Sequence, residues 1–455
     1  MKNITLENVA NACNGKLVLI NGDDATKEAV SVVIDSRKCE EGSIFIATRG
    51  EKVDGHSFIN QVFEKGALAV VCEDEPEGMP GNYIVVKDSF QAIKDIARFY
   101  RQQLSVKIVG VAGSVGKTST KQLVASVLSE KYKVQKTVGN LNNEIGVPLT
   151  IFSIDESHEM AVVEMGISDF GEMSRLSDIV KPDICLMTNI GPCHLENLKD
   201  LDGVLKAKSE IFESMNKKGY VVVNGDDEKL YGIKRVNEKT PTYFGISEHN
   251  DIYAKNIVSK GVEGSTCTIC TKQGNFEVKV PLPGIHMVIN AVAATSVGLL
   301  VGLTLDEIKA GIEKVESVNG RSNIIHHEKY VVIDDCYNAN PKSMKAAIDL
   351  LCQSGNSRKI AILGDMFELG VNEEALHGEV GSYANEKNVD TLICIGSLAS
   401  NIYEKADAVS DRYYYEKLED FLSSSKIKES ADKPIILIKA SHGMHFEKIV
   451  EFLTN

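Results

Sequence analysis

The chain has 455 residues, 43% hydrophobic and 25% charged; this is the length of several domains, and the composition excludes a wholly disordered, collagenous or membrane-embedded protein. Its 50 Lys and Arg against 64 Asp and Glu leave a formal charge of −14. The molecule as a whole therefore lacks the positive field of a nonspecific nucleic-acid or anionic-membrane binder, and any anion site must be local.

The first twenty residues, MKNITLENVANACNGKLVLI, lack the basic start and apolar core of a secretion signal, and no window approaches the ~18 apolar residues of a membrane span. A cytoplasmic protein is expected. The ten cysteines are scattered, several inside apolar runs, which fits reduced buried thiols better than a disulfide framework. Cys267 and Cys270 are the one close pair, but residues three apart on a strand face opposite sides, which argues against a shared metal.

In chain order, residues 30–36, 43–48, 67–73 and 82–88 read as strands, the last two separated by the turn EPEGMPGN. An amphipathic helix from Ser89 to Leu104 leads into a new strand, KIVGVAG. From there the apolar runs KIVGVA, MAVVEMG, DICLMTNIG and GYVVVNG are unbroken, as a parallel sheet buried on both faces requires. Residues 250–282 read as antiparallel strands and 285–302 as a helix. After Gly320-Arg321 the β/α rhythm restarts with YVVIDDC, KIAILGD, TLICIGS and IILIKAS, the pattern of a separate doubly wound domain. The expected architecture is α/β in three domains: a small N-terminal α/β domain (1–104), a central parallel-sheet phosphate-loop domain (105–319) and a C-terminal Rossmann-like domain (320–455). The boundaries near 105 and 320 are expected to act as hinges.

Between strand and helix stand Gly113, Ser114, Val115, Gly116, Lys117 and Thr118. Glycines let backbone N–H groups converge on phosphate oxygens, Lys117 supplies charge to the β/γ phosphates and the Thr118 hydroxyl can reach Mg²⁺. The alternative is a coincidental Gly-rich turn. Glu164 ends the strand AVVEMG, where strand termini face a ligand crevice, and a carboxylate there can hold Mg²⁺; a solvated Glu is the bland reading. His194 follows a strand and is either a ligand or structural. Lys208, on a helical pattern, reads from its surroundings as a solvated lysine. Asp335 and Asn338 lie in a polar loop, DDCYNANP, suited to ribose or amide contacts, with Asn340 before Pro341 as a helix N-cap. Lys439, Ser441 and His442 should project from a strand end toward the interdomain cleft, unless His442 merely opens a helix capped by Ser441.

Together these motifs resemble the Mur ligases, the ATP-dependent ligases of bacterial cell-wall synthesis. The matching segments span nearly the whole chain: DSRKCEEGSIFIATRGEKVDGHSFI, GSVGKTST, NNEIGVPLT, VEMGIS, NIGPCHLENL, KAKSEIF, LPGIHMVINAVAA, GRSN, DDCYNANPKSM, LGDMFELG and KASHGMHFE. The resemblance implies acid–amine ligation through an acyl phosphate, with ATP and Mg²⁺ as cofactors. Its small-molecule substrates would be UDP-N-acetylmuramoyl-tripeptide and D-alanyl-D-alanine, acted on by a monomer without nucleic-acid partners. It assigns Lys117 to the γ-phosphate, and Thr118, Glu164 and His194 to magnesium. Lys208 falls where the family carries a carbamylated lysine, so the resemblance makes it catalytic and a ligand to a second Mg²⁺. Asn143, Asn290, Arg321, Asp335 and Asn338 would lie around the nucleotide, and Asp35, Ser36 and Arg37 near the UDP moiety. The chain departs from the family at Val115, where Asn is usual, at Met287, where Asn often follows the histidine, and at Ala440 and His442, where Gly and Arg are common. The rival readings are another Mur or folylpolyglutamate-type amino-acid ligase, and a nucleotide-binding regulatory paralogue that ligates nothing.

Overall fold

The computed structural model describes all residues except 21, 23, 51–52, 76–77, 79, 356, 425–432 and 455. Pro76, Glu77 and Met79 of the turn expected after the third strand, and Glu51-Lys52 of the segment beginning at Asp35, lie outside the described residues. The strands form three sheets of five, nine and six members. The architecture is thus α/β throughout, with every strand expected from an apolar run present.

In the first sheet the strands Ser31–Val33, Ser43–Ile46, Ala69–Cys72 and Asn82–Val85 run parallel, and Lys16–Val18 adds antiparallel to the last of them. The helix Ser89–Gln103 then crosses to the central unit. Asp88 caps it by accepting the Gln91 N–H at 3.0 Å. Ala92, Ile93, Ile96, Ala97 and Tyr100 are buried, spaced as one helical face. That face packs on the helices Gly146–Phe152 and Glu172–Val180. One continuous cluster of buried apolar side chains therefore runs from Ile4 to Leu230, straight through residue 105.

The central sheet places Lys107–Ala112 between Met160–Glu164 and Ile184–Met187, all parallel. Val111 lies opposite Glu164 and Ala112 opposite Met187, so three strand ends open at one point. Residues 252–280 supply the expected antiparallel strands, Ile252–Ser259, Ser265–Thr271 and Gly274–Val280, and Ile285–Leu300 is the expected helix. All ten cysteines are free, with Cys267 and Cys270 buried in this antiparallel ribbon.

In the third sheet Ile435–Lys439 is inserted between Val331–Asp334 and Lys359–Gly364, all parallel. Asp334 thereby pairs with Ile438, and Leu363 with Lys439, and the crevice opens where chain order breaks. The two apolar clusters of this sheet draw their buried members only from residues 332–453.

Tyr100 is fully buried and its hydroxyl donates to the Ile154 carbonyl at 2.6 Å, tying the crossing helix to the central unit. Tyr100→Phe leaves that carbonyl without its partner and is expected to cost about 1–3 kcal/mol, read as a lower urea midpoint at unchanged slope.

Candidate active site

The phosphate loop is shaped by its neighbours. Gly113 has φ 144°, and a Cβ there would stand 2.0 Å from Thr188 Oγ1; Gly116, at φ 84°, caps the helix Lys117–Leu128. Thr188 Oγ1 and Asn189 Nδ2 both donate to the Val115 carbonyl, at 2.7 and 2.9 Å, and Asn189 Oδ1 accepts the Val115 N–H at 3.0 Å. Val115 thus serves through its backbone alone, which is why a valine is accepted at this position. Ser114 Oγ donates to the Gly191 carbonyl at 3.1 Å and accepts the Gly191 N–H at 3.0 Å. Lys117 Nζ folds back onto the Gly113 carbonyl at 2.9 Å.

Glu164 is buried beside this loop. Its Oε1 accepts from Thr118 Oγ1 at 3.1 Å and from Asn142 Nδ2 at 2.9 Å. Its Oε2 has no hydrogen-bond donor but lies 3.3 Å from Lys121 Nζ. Burial alone raises the pKa of such a carboxyl; Lys121, Lys117, the Asn142 hydrogen bond and Arg321 outweigh it and hold Glu164 below its ordinary value. Thr118 and Glu164 therefore offer a hydroxyl and an ionised carboxylate, the hard oxygen donors that Mg²⁺ prefers. Among the described residues no group of three or more His, Cys, Asp or Glu side chains forms a cluster fit for a metal, so substrate oxygens would have to complete the shell.

His194 has a left-handed backbone, φ 51°, and its Nδ1 lies 2.7 Å from Glu368 Oε2 of the third-sheet unit. Burial lowers its pKa, with Lys208 and Lys117 acting in the same direction and Glu368 against. Lys208, on the helix Leu201–Ser209, is fully buried rather than solvated. Burial first, and then Lys117, push its amine from 10.5 down to about 8.

The loop from Ser114 to Thr118, Glu164 and His194 line one side of a cavity of about 690 Å³, with Lys208 buried outside its lining; the third-sheet unit lines the other side with Arg321, Asp335, Tyr337, Asn338 and Lys439. The Arg321 guanidinium lies 3.9 Å over the Tyr337 ring. Lys439, only 2% exposed, pairs with Asp335 Oδ2 at 2.6 Å and donates to the Asn338 carbonyl at 2.9 Å. Asp335 Oδ1 accepts the Ser322 N–H at 2.9 Å, so one buried ion pair joins all three cavity loops of this unit. Asn340 caps the helix Pro341–Gln353 as expected, in a capping box with Ser343.

The Mur ligase domain descriptions match in chain order: the catalytic domain at residues 28–107, the middle domain at 111–298 and the glutamate ligase domain at 320–442. The chain is 37% identical to the UDP-N-acetylmuramoyl-tripeptide–D-alanyl-D-alanine ligase of Bacillus subtilis (strain 168), over 99% of this chain and 98% of that one. The chain belongs to the Mur ligase family. Its fold superposes on crystal structure I of MurF from Acinetobacter baumannii with a TM-score of 0.90 at 30% identity, covering 99% and 98% of the two chains. It superposes on MurF ligase from Thermotoga maritima in complex with ADP at 0.81 and 27% identity, covering 93% and 97%.

Against this Mur ligase frame, the structure gathers Ser114, Val115, Gly116, Lys117, Thr118, Glu164 and His194 on one wall, with Asn143 and Asn290 beside them and Gly113 just outside the lining. Asn143 is exposed there and caps the turn into Gly146, accepting its N–H at 2.8 Å, whereas Asn142 is the residue on Glu164. Asn290 Oδ1 accepts from Thr120 Oγ1 at 3.0 Å, and its Nδ2 meets Met287 Sδ at 3.7 Å, so Met287 serves where Asn is frequent in the family. Asp35, Ser36 and Arg37 stand outside the cavity. They form a short turn in which Asp35 holds Arg37 through two side-chain hydrogen bonds of 2.8 and 2.9 Å, with the carboxyl pulled down to about 2 by that partner. Ser441 does not cap the turn His442–Met444; its Oγ accepts the Phe367 N–H at 2.9 Å instead. His442 is exposed and stacks on Tyr337, ring centroids 5.4 Å apart. Lys121, Asn142 and Glu368 were not among the expected site residues. Lys439, expected to project toward the interdomain cleft, lines the cavity with its charge buried against Asp335.

Asp335→Ala strands the Lys439 ammonium without a counter-charge. The expected loss is about 3–5 kcal/mol of stability, measured as a fall in the denaturation midpoint, together with weaker binding of an ATP analogue by calorimetry.

Proposed function

We propose that this chain joins D-alanyl-D-alanine to UDP-N-acetylmuramoyl-tripeptide in peptidoglycan synthesis, converting ATP to ADP and phosphate. One observation carries the reading: a single cavity is walled on one side by the phosphate loop and on the other by the Arg321, Asp335 and Asn338 loops. The Bacillus subtilis ligase is similar over 99% of this chain. The tripeptide carboxylate takes the γ-phosphoryl group of ATP, leaving ADP and an acyl phosphate. The D-alanyl-D-alanine amine then attacks the acyl carbon, inorganic phosphate departs and the amine loses a proton.

In this reading Lys117 leaves the Gly113 carbonyl for the γ-phosphate, and the N–H groups of Gly116, Lys117 and Thr118 at the helix start donate to the phosphate oxygens, while those of Ser114 and Val115 stay on Asn189. Asn290 and Asn143 flank the nucleotide from the central unit. Arg321, Asp335 and Asn338 contact it from the C-terminal side. Thr118, Glu164 and His194 would hold Mg²⁺, with a carbamylated Lys208 for a second ion; the metal would supply neutralisation of phosphate charge. Asp35, Ser36 and Arg37 are assigned to the UDP end, remote from the chemistry. Walls that close over the acyl phosphate keep water from it.

The domain division 1–104, 105–319 and 320–455 follows the three sheets. Relative movement is assigned to the junction near 320, because the apolar core is continuous across 105 and separate beyond 332. Both cavity walls come from one chain, so a monomer suffices. Dependence on ATP places the reaction in the cytoplasm.

The direct test is ADP release measured with each co-substrate alone and with both, using tripeptides ending in diaminopimelate and in lysine. Release that requires both tripeptide and D-alanyl-D-alanine supports the proposal. Preference for a free amino acid as amine donor identifies another ligase of the superfamily, and no release at all a regulatory paralogue. Lys117→Ala is expected to fold normally and lose at least 100-fold in turnover, about 2.7 kcal/mol.

A carbamate forms only on a neutral amine. With its pKa brought from 10.5 to about 8, the neutral fraction of Lys208 at pH 7.5 rises from about a thousandth to about a quarter. Turnover is expected to fall in degassed, CO₂-free buffer and to recover on adding bicarbonate. The carbamate should also appear as density beyond Nζ in a nucleotide-bound crystal, and a bare ammonium there contradicts it.

A further inference from the structure

Glu368 lies in the segment LGDMFELG, whose acidic side chain has no role in the reading above. The two residues before it are pinned to the C-terminal unit: the Met366 N–H donates to His377 Nε2 at 2.8 Å and the Phe367 N–H to Ser441 Oγ at 2.9 Å. Glu368 itself adopts φ 62°, a conformation unfavourable to a non-glycine residue that persists where surroundings impose it. Its target, His194, is likewise left-handed at φ 51°. Two unfavourable backbones thus meet across the domain boundary with 2.7 Å between Glu368 Oε2 and His194 Nδ1. The short helices Leu195–Leu198 and Gly370–Asn372 pack beside this contact. Glu368 is itself largely solvent-exposed, so the core does not need it.

We propose that Glu368 is a positioning residue for His194. The C-terminal domain, on docking, sets a carboxylate against the Nδ1 side of the ring and leaves Nε2 as the nitrogen presented to the cavity. A histidine that binds a metal is commonly held in this way, by a carboxylate on its other ring nitrogen, which fixes tautomer and orientation. Here the carboxylate arrives from another domain. Domain docking and completion of the site therefore become one event, and an undocked enzyme has an unaligned His194. The inference rests on the assignment of His194 to the metal.

The test uses the full-length enzyme with a non-hydrolysable ATP analogue and Mn²⁺ in place of Mg²⁺, bound Mn²⁺ being read by electron paramagnetic resonance. Glu368→Ala is expected to weaken Mn²⁺ binding about tenfold, His194→Ala at least as much, and the double variant no more than His194→Ala. Glu368→Gln, which keeps size and an acceptor oxygen, should fall between wild type and Glu368→Ala, and it decides the matter should the alanine variant not fold. Turnover of Glu368→Ala should drop with little change in KM for D-alanyl-D-alanine. Wild-type Mn²⁺ binding in Glu368→Ala beside weakened binding in His194→Ala overturns the proposal and leaves the metal assignment standing. Additive losses in the double variant also overturn it, since the two residues then act separately. Unchanged binding in both single variants overturns the proposal together with the assignment of His194.

Discussion

The pairing of Val111 with Glu164 across two parallel strands is the constraint from which the site is built. A parallel register fixes which strand ends are level, and here it sets the turn after Ala112 beside a carboxylate. The third strand of the trio, Ile184–Met187, brings Thr188 and Asn189 level with the same turn, where they take up the backbone of Val115. A one-residue slip of Met160–Glu164 would turn Glu164 to the opposite face and leave Lys121 buried without its partner. Apolar strands buried on both faces resist such a slip, so the most ordinary feature of the sequence, its runs of Val, Ile and Met, holds the polar chemistry in place.

Those runs are also why so much of the molecule could be read before its structure was known. MAVVEMG and KIVGVA announce buried parallel strands, and the glycine-rich turn followed by Lys117 announces an anion site, because local chemistry determines both. The strands that escaped notice, such as Val134–Lys136, Asn323–His326 and Asp411–Tyr415, are short edge strands whose residues are largely half-buried or exposed. Their pairing is decided by the neighbouring strand rather than by their own composition. The phosphate-loop residues and Glu164 were legible from spacing alone. The burial of Lys208 and the place of His194 in the cavity were not: a lysine on a helix looks solvated until the fold encloses it. Asn142 and Asn143 are adjacent, and only the direction of the chain at that bend determines which of them reaches Glu164.

Lys439 and Asp335 illustrate a different limit. Each sits at a strand end and neither is unusual alone, but the insertion of the last strand between two earlier ones makes them meet. Sequence separation conceals such pairs. The same insertion makes Ser441 a brace for the Phe367 backbone instead of a helix cap, and the stacking of His442 on Tyr337 gives that histidine a neighbour that no local pattern would suggest.

Among the described residues the third-sheet unit's apolar clusters take in a single partly buried side chain of the central unit, Val262, and this bears on how such enzymes diversify. A seam with so little apolar packing imposes few volume constraints on either partner. The unit beyond residue 332 can change its loops, or be replaced by a cousin of the same shape, without repacking the interior that carries the phosphate loop. By contrast the N-terminal sheet is fused to that interior through Tyr100 and its helix, so a change there has to be absorbed within the same apolar core. Evolutionary freedom is therefore lopsided along this chain, large at its C-terminal end and small at its start.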